Sequence, residues 1–121
     1  MRVETSVARE HYAHPSQHSH GLTEKDIPEG LIHYAQGGVC LTFLPVFEPD
    51  IYEVHIGVKP EAWGHTIEPT VRNLAEFVRD FRPASVVAPI RTRNRLAIRL
   101  ARQAGFSPSG VIGCLSIMEL R

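Results

Sequence analysis

"IYEVHIGVKPEAWGHTIEPTVRNLAEFVRDF", residues 51–81, changes its period half-way along. Up to Val58 it alternates: Tyr52, Val54, Ile56 and Val58 share one face while Glu53, His55 and Gly57 share the other, as on a strand. After "KPEAWGH" the apolar residues Ile67, Val71, Leu74, Phe77, Val78 and Phe81 recur at helical spacing. Pro69 is tolerated in the first turn, and "RP" at 82–83 stops the helix. A helix that follows directly from a strand offers its unpaired first N–H groups, and the positive end of its dipole, to an anion such as a phosphate. Gly64 permits close backbone approach at that turn.

Upstream, "GLIHYAQ" and "GVCLTFLPVF" read as two strands joined by a tight turn at Gly37 and Gly38. The polar first thirty residues read as loop or short helical turns, a loop-rich arm over 1–28. Downstream, "ASVVAPI" is a short apolar strand of the kind found in a sheet covered on both faces. A second helix is expected from about Thr92 to Ala104, with Leu96, Ala97, Leu100, Ala101 and Ala104 as its stripe and Gly105 as its stop. "GVIGCLSIMEL" closes the chain as one strand, because only fifteen residues follow Phe106. The fold class is therefore α/β: one domain over 1–121, a mixed central sheet flanked by helices. An exposed final edge strand invites pairing with a second copy, a homodimer.

The balanced net charge hides an asymmetry. Residues 1–70 hold four Lys/Arg against ten Asp/Glu, and residues 71–121 hold nine against three. Eleven of the thirteen basic residues are arginine, which suits forked contacts with phosphate or carboxylate. Arg91, Arg93, Arg95, Arg99 and Arg102 lie close together, so the second half is expected to meet an anion. Nucleic acid is the weakest candidate, since the basic stretch lacks interleaved aromatics and any recognised motif. No apolar run approaches a membrane span, and the first residues are too polar for a signal peptide. Cys40 and Cys114 form no metal or redox motif, which fits a reduced, cytoplasmic setting. His11, His14, His18 and His20 have spacing that could serve zinc or nickel, but no cysteine or carboxylate set completes it, so no metal site is assigned.

Residues 52–106 resemble the acetyl-CoA-binding core of the GNAT (Gcn5-related N-acetyltransferase) superfamily. Its turn, (Gln/Arg)-x-x-Gly-x-(Gly/Ala), is matched by Glu61, Ala62, Trp63, Gly64, His65 and Thr66. Its second motif, Asn-x-x-Ala-x-x-Leu-(Tyr)-x-x-x-Gly-Phe, is matched by Asn94, Ala97, Leu100, Ala101, Gly105 and Phe106 with the spacing intact. The wording "YEVHIGVKPEAWG", "APIRTRN" and "GFSPSGVI" is most similar to small GNAT-like proteins of tailed bacteriophages and prophages.

The resemblance implies a compact acyl-CoA N-acyltransferase fold, truncated at both ends, that uses acetyl-CoA to acetylate an amine. It implies cofactor contacts at Ile56, Val58, Trp63, Gly64, His65, Thr66, Asn94, Ala97 and Arg99. The general base would be Glu53 or His55 on the central strand, histidine being the side chain that ordinarily titrates near neutral pH. The acidic first half would suit a cationic acceptor. A phage origin would place the protein in the host cytoplasm or on the virion. The sequence departs from the family at Trp63 and Thr66, and at Ala101, where many members carry a tyrosine that protonates the leaving thiolate. Ala101, Trp63 and the short ending favour the alternative, an inactive GNAT-fold phage protein acting in virion assembly or host interaction, while the intact Asn94-to-Phe106 spacing and the arginine helix favour the enzyme.

Overall fold

The computed structural model describes residues 1–15, 23–46 and 48–121. The elements are β1 (Arg2–Val3), α1 (Thr5–Glu10), β2 (Ile32–Gln36), β3 (Val39–Val46), β4 (Glu48–Val58), α2 (Ile67–Phe81), β5 (Ser85–Arg91), α3 (Arg95–Gln103), β6 (Ser107–Ile112) and β7 (Leu115–Leu120). The seven strands form one mixed sheet in the order β1-β2-β3-β4-β5-β7-β6. Among the described residues its one parallel pair is β4–β5, the two strands that α2 connects. At the β2–β3 hairpin Gly37 and Gly38 take φ of +59° and +77°, the positive values that a two-residue turn between twisted strands requires.

The alternation along β4 sorts the molecule into layers. Val54, with Tyr52 and Ile56 packed beside it, joins the main core of Phe43, Leu74, Phe77, Val86, Ala101 and Met118 beneath α2 and α3. Phe77 stacks on Phe43 at 3.7 Å between ring centroids, and Tyr52 meets Phe77 edge-on. The opposite face, over β2–β4, carries α1 and a second cluster of Ala8, Tyr12, Ile27, Ala35 and Cys40. Gly57 lets the end of α1 come this close: a Cβ there would lie 2.9 Å from the His11 carbonyl oxygen and the Tyr12 ring.

The mixed sheet with flanking helices is as expected, and several local readings are corrected. The N-terminal arm, read as loop or short helical turns, carries the six-residue helix α1 and in addition the strand β1, which pairs with β2, and its Ala8 and Tyr12 are fully buried. The chain ends in a hairpin rather than one strand. Gly113 (φ +59°) turns β6 into β7, and β7 inserts between β5 and β6, so the edge strand is β6 and not the final one. The continuous apolar run concealed that two-residue turn.

In α2 the buried line is Thr70, Asn73, Leu74 and Phe77, while Ile67, Val71 and Val78 are exposed. Asn73 can be buried because its Nδ2 donates to the Val39 carbonyl at 3.0 Å and its Oδ1 accepts from Gln36 at 2.9 Å. The second helix begins at Arg95, not Thr92, since Asn94 caps it by accepting the Ala97 N–H at 3.2 Å. Leu96 is exposed, and Ile98 packs on the core instead. Gly105 (φ +104°) ends the helix as expected, with the Phe106 and Gly105 N–H groups donating to the Ala101 and Arg102 carbonyls.

Candidate functional site

The β4–β5 ladder comprises three pairs, Ile51↔Ser85, Tyr52↔Val86 and Glu53↔Val87. Beyond it β4 continues to Val58 alongside β3, while β5 continues to Arg91 alongside β7. The two strands therefore part like a V. Above the V, between α2 and α3, lies a groove of about 720 Å³ with a mainly apolar lining that includes Val54, Ile56, Leu74, Ala88, Ala97 and Leu100. That volume lies within the range of ordinary small-molecule sites, ~300–1,000 Å³.

One end of the groove is polar. A single helical turn at Pro60–Ala62 precedes Gly64, whose φ of +84° redirects the chain into α2. The Trp63 and His65 N–H groups are spent on the Pro60 and Ala62 carbonyls. Among the described residues, those of Gly64, Thr66, Ile67 and Glu68 donate to no carbonyl. Pro69 has no N–H, and Thr66 makes no side-chain cap. Four unspent donors thus sit at the positive end of the α2 dipole, an arrangement suited to an anion. The Glu68 carboxylate in this first turn is ion-paired with Arg72. A second cleft, of about 570 Å³, lies on the other side of the turn against Gln36, Gly37 and Arg72.

Of the residues expected to hold a cofactor, Ile56, Val58, Trp63, Gly64, Thr66, Asn94, Ala97 and Arg99 line the groove. His65 lines only the second cleft. Arg91, Arg93, Arg95, Arg99 and Arg102 are all exposed, and none makes an ion pair among the described residues. Of these five, Arg99 borders the groove and the other four stand outside its lining. Trp63 is half-exposed and packs edge-on against His14 at 5.0 Å.

The two candidate bases stand together. His55 Nε2 and Glu53 Oε2 are 2.7 Å apart, both partly buried. His55 borders the groove and Glu53 does not. Behind them runs a buried chain that sequence reasoning missed. Tyr12 OH donates to Thr42 Oγ1 at 2.7 Å and reaches the His55 carbonyl at 3.2 Å, while His33 Nδ1 meets the same Thr42 hydroxyl at 2.9 Å. Burial holds His33 and His11 below the ordinary histidine range, and pushes the Cys40 thiol up to about 12, which makes that thiol inert. Thr70, also missed, lines the groove. Its signal was present, since it lies one turn before Leu74 and three residues after Ile67 on a helix whose stripe had been read from apolar residues alone.

Within the histidine set, His11 Nδ1 bonds to the Val7 carbonyl at 3.1 Å. His18 and His20 lie outside the described residues. Among the described residues no three His, Cys, Asp or Glu side chains come together as a metal site, and no helix is long and apolar enough to cross a membrane.

No family profile matches the sequence, and no curated protein matches it either. Solved structures do match. The N-acetyltransferase PseH of Campylobacter jejuni, in complex with acetyl coenzyme A, superposes with a TM-score of 0.61 at 14% identity over 69% of this chain and 58% of that one. A spermidine N-acetyltransferase SpeG chimera from Vibrio cholerae gives 0.60 at 14% over 74% and 64%. The GNAT domain of S. lividans PAT gives 0.59 at 16% over 74% and 58%. The chain spans less than two thirds of each of these. At such identities the likeness is one of fold: this chain has the GNAT acyl-CoA N-acyltransferase fold.

Proposed function

We propose that the chain binds acetyl-CoA in the groove between α2 and α3 and transfers the acetyl group to an amine. The observation that carries this reading is the opening of the β4–β5 V onto a turn with four unspent N–H donors. Acetyl-CoA supplies the activated thioester carbonyl. The N–H groups of Gly64, Thr66, Ile67 and Glu68 would hold its pyrophosphate, with Arg99 close by and Trp63 at the rim. Ile56, Val58, Ala97 and Asn94 would flank its arm.

Glu53 stands at the last β4–β5 pair and orients the His55 imidazole. In this reading His55 accepts the proton that the acceptor ammonium must lose before its nitrogen can attack. Ala101, on the buried side of α3, has no proton to give the leaving thiolate, so solvent supplies it. The acidic first half of the chain favours a cationic acceptor. Ala101 also supports a second reading, in which a GNAT-like phage protein keeps the fold and has lost the chemistry. That reading expects a partner complex and no cofactor binding.

The thermal unfolding midpoint, with and without acetyl-CoA, tests the proposal. A ligand that binds only the folded state at a hundred times its Kd adds about 2.7 kcal/mol, a shift of several degrees. Gly64→Ala and Gly64→Glu share the strain of a positive φ, and neither meets a neighbour at Cβ. Only glutamate adds a negative charge at the turn. A saturable rise in the wild type that survives in the alanine variant and vanishes in the glutamate variant supports the site. No shift at millimolar acetyl-CoA overturns it in favour of the second reading.

A further inference from the structure

Thr70 Oγ1 is the one buried side-chain polar atom without a hydrogen-bond partner among the described residues. The residue is only 6% exposed, yet it lines the groove. A helical threonine can turn its hydroxyl onto the carbonyl four residues back, here that of Thr66. Thr70 does not do so, and the Thr66 carbonyl is taken by the Thr70 N–H at 3.1 Å. The lining beyond it is hydrocarbon: Leu74 one turn on, Val54 and Ile56 on β4, Ala97 on α3. A polar atom buried without a partner is costly, and one that faces a groove can recover that cost when a ligand completes the bond.

Its depth indicates which part of a ligand it meets. Thr70 lies three residues into α2 from Ile67, about 4.5 Å along the axis from the N–H donors of the turn. It precedes Leu74 on the way towards the closed end of the V. Resting on the acetyl-CoA reading, we infer that Thr70 Oγ1 donates a hydrogen bond to an amide carbonyl of the donor's arm, between the phosphates and the thioester. An amide drawn into this apolar stretch loses its water, and the hydroxyl replaces it. The contact sets how far the arm enters and hence where the thioester stops relative to Glu53 and His55.

Thr70→Val keeps the shape and removes the hydroxyl, and Thr70→Ser keeps the hydroxyl. Calorimetric titration with acetyl-CoA should show about a tenfold rise in Kd for the valine variant and a change under about threefold for serine. The unfolding midpoint of the ligand-free valine variant should hold or rise, because an unpaired buried polar atom has gone. That opposite sign separates ligand contact from a structural role. Wild-type affinity in Thr70→Val overturns the inference and leaves the acetyl-CoA reading standing. A fall in ligand-free midpoint that accounts for the lost affinity also overturns it. An equal loss for ADP, which has the phosphates but no arm, moves the contact to the phosphates and overturns the assignment to the arm. If the wild type itself binds no acetyl-CoA, both readings fall together.

Discussion

Glu53 Oε2 and His55 Nε2 meet at 2.7 Å on the α1 side of the sheet, and Glu53 is the last β4 residue paired with β5. The His55 carbonyl is also reached by the Tyr12 hydroxyl at 3.2 Å, so the imidazole is anchored from both its backbone and its ring. A carboxylate fixing an imidazole beside an opening in the sheet is the arrangement that the proposed base and its orienting group require.

With a saturating amine acceptor, His55→Ala should lower kcat by about 10²–10⁴-fold while leaving the Kd of acetyl-CoA unchanged. Glu53→Gln should lower it less, since it acts through His55. The double variant should fall no further than His55→Ala alone. Initial rates of thiol release give all three values. Strictly multiplicative losses would mean that the two residues work separately and would sink the paired role.

Acid should loosen the α1 side before it touches the surface carboxylates. Burial lowers the folded-state pKa of His33 and His11, so the unfolded chain binds more protons as pH falls below about 6.5. Their contribution is therefore present above that value and is lost as pH falls through the folded-state pKa. Glu76, Asp80 and Glu119, held low chiefly by hydrogen bonds from the N-terminal amine, Arg79 and Arg121 respectively, keep theirs until more acid conditions. The unfolding midpoint should be flat from pH 8 to 7 and decline by several degrees by pH 5. His33→Gln should flatten that decline, and an unchanged profile would rule His33 out as its source.

How much of this was legible depended on how local each signal was. The switch of period at 58–67, the Gly37-Gly38 turn and the Gly105 stop of α3 are each written within a few residues, and the structure keeps them, whereas the start of α3 moves from Thr92 to Arg95. The β6–β7 hairpin was missed because Gly113 interrupts an otherwise apolar run without a second turn residue. Asn73 was missed because long-range geometry buries it, through the Val39 carbonyl and Gln36, whereas Thr70 has the helical spacing but is polar, so a stripe drawn from apolar residues passes over it. The meeting of Glu53 with His55 follows from strand alternation, but Tyr12 beneath them comes from forty-three residues away and leaves no periodic trace.

Arg82 closes α2 in the left-handed region at φ +46°, the one non-glycine residue with positive φ among those described. A side chain in that conformation costs about 1–2 kcal/mol, partly offset by the greater freedom that a glycine has to lose on folding. The Arg82 side chain is exposed and makes no ion pair among the described residues. Arg82→Gly should therefore stabilise the protein by up to about 1 kcal/mol, read as a higher urea midpoint at unchanged slope. A lower midpoint would show that the side chain contributes more than its exposure suggests.

Asn94 and Arg99 both border the groove but should fail differently. Asn94 Oδ1 accepts the Ala97 N–H at 3.2 Å and so starts α3 where the groove needs it. Asn94→Ala should cost about 1 kcal/mol of stability and lower the midpoint by several degrees, and it should weaken acetyl-CoA binding as well, because the first turn frays into the groove wall. Asn94→Ser should recover most of the stability. Arg99 is exposed, so Arg99→Gln should leave the midpoint within about 0.5 kcal/mol of wild type. It should weaken acetyl-CoA severalfold at low salt and by less at high salt, because a solvent-screened charge facing phosphates is what it removes. Arg102→Gln, on the same helix but away from the groove, is the control and should change neither quantity. Equal losses from Arg99→Gln and Arg102→Gln would assign the anion to the exposed arginines of α3 as a set instead of to the groove.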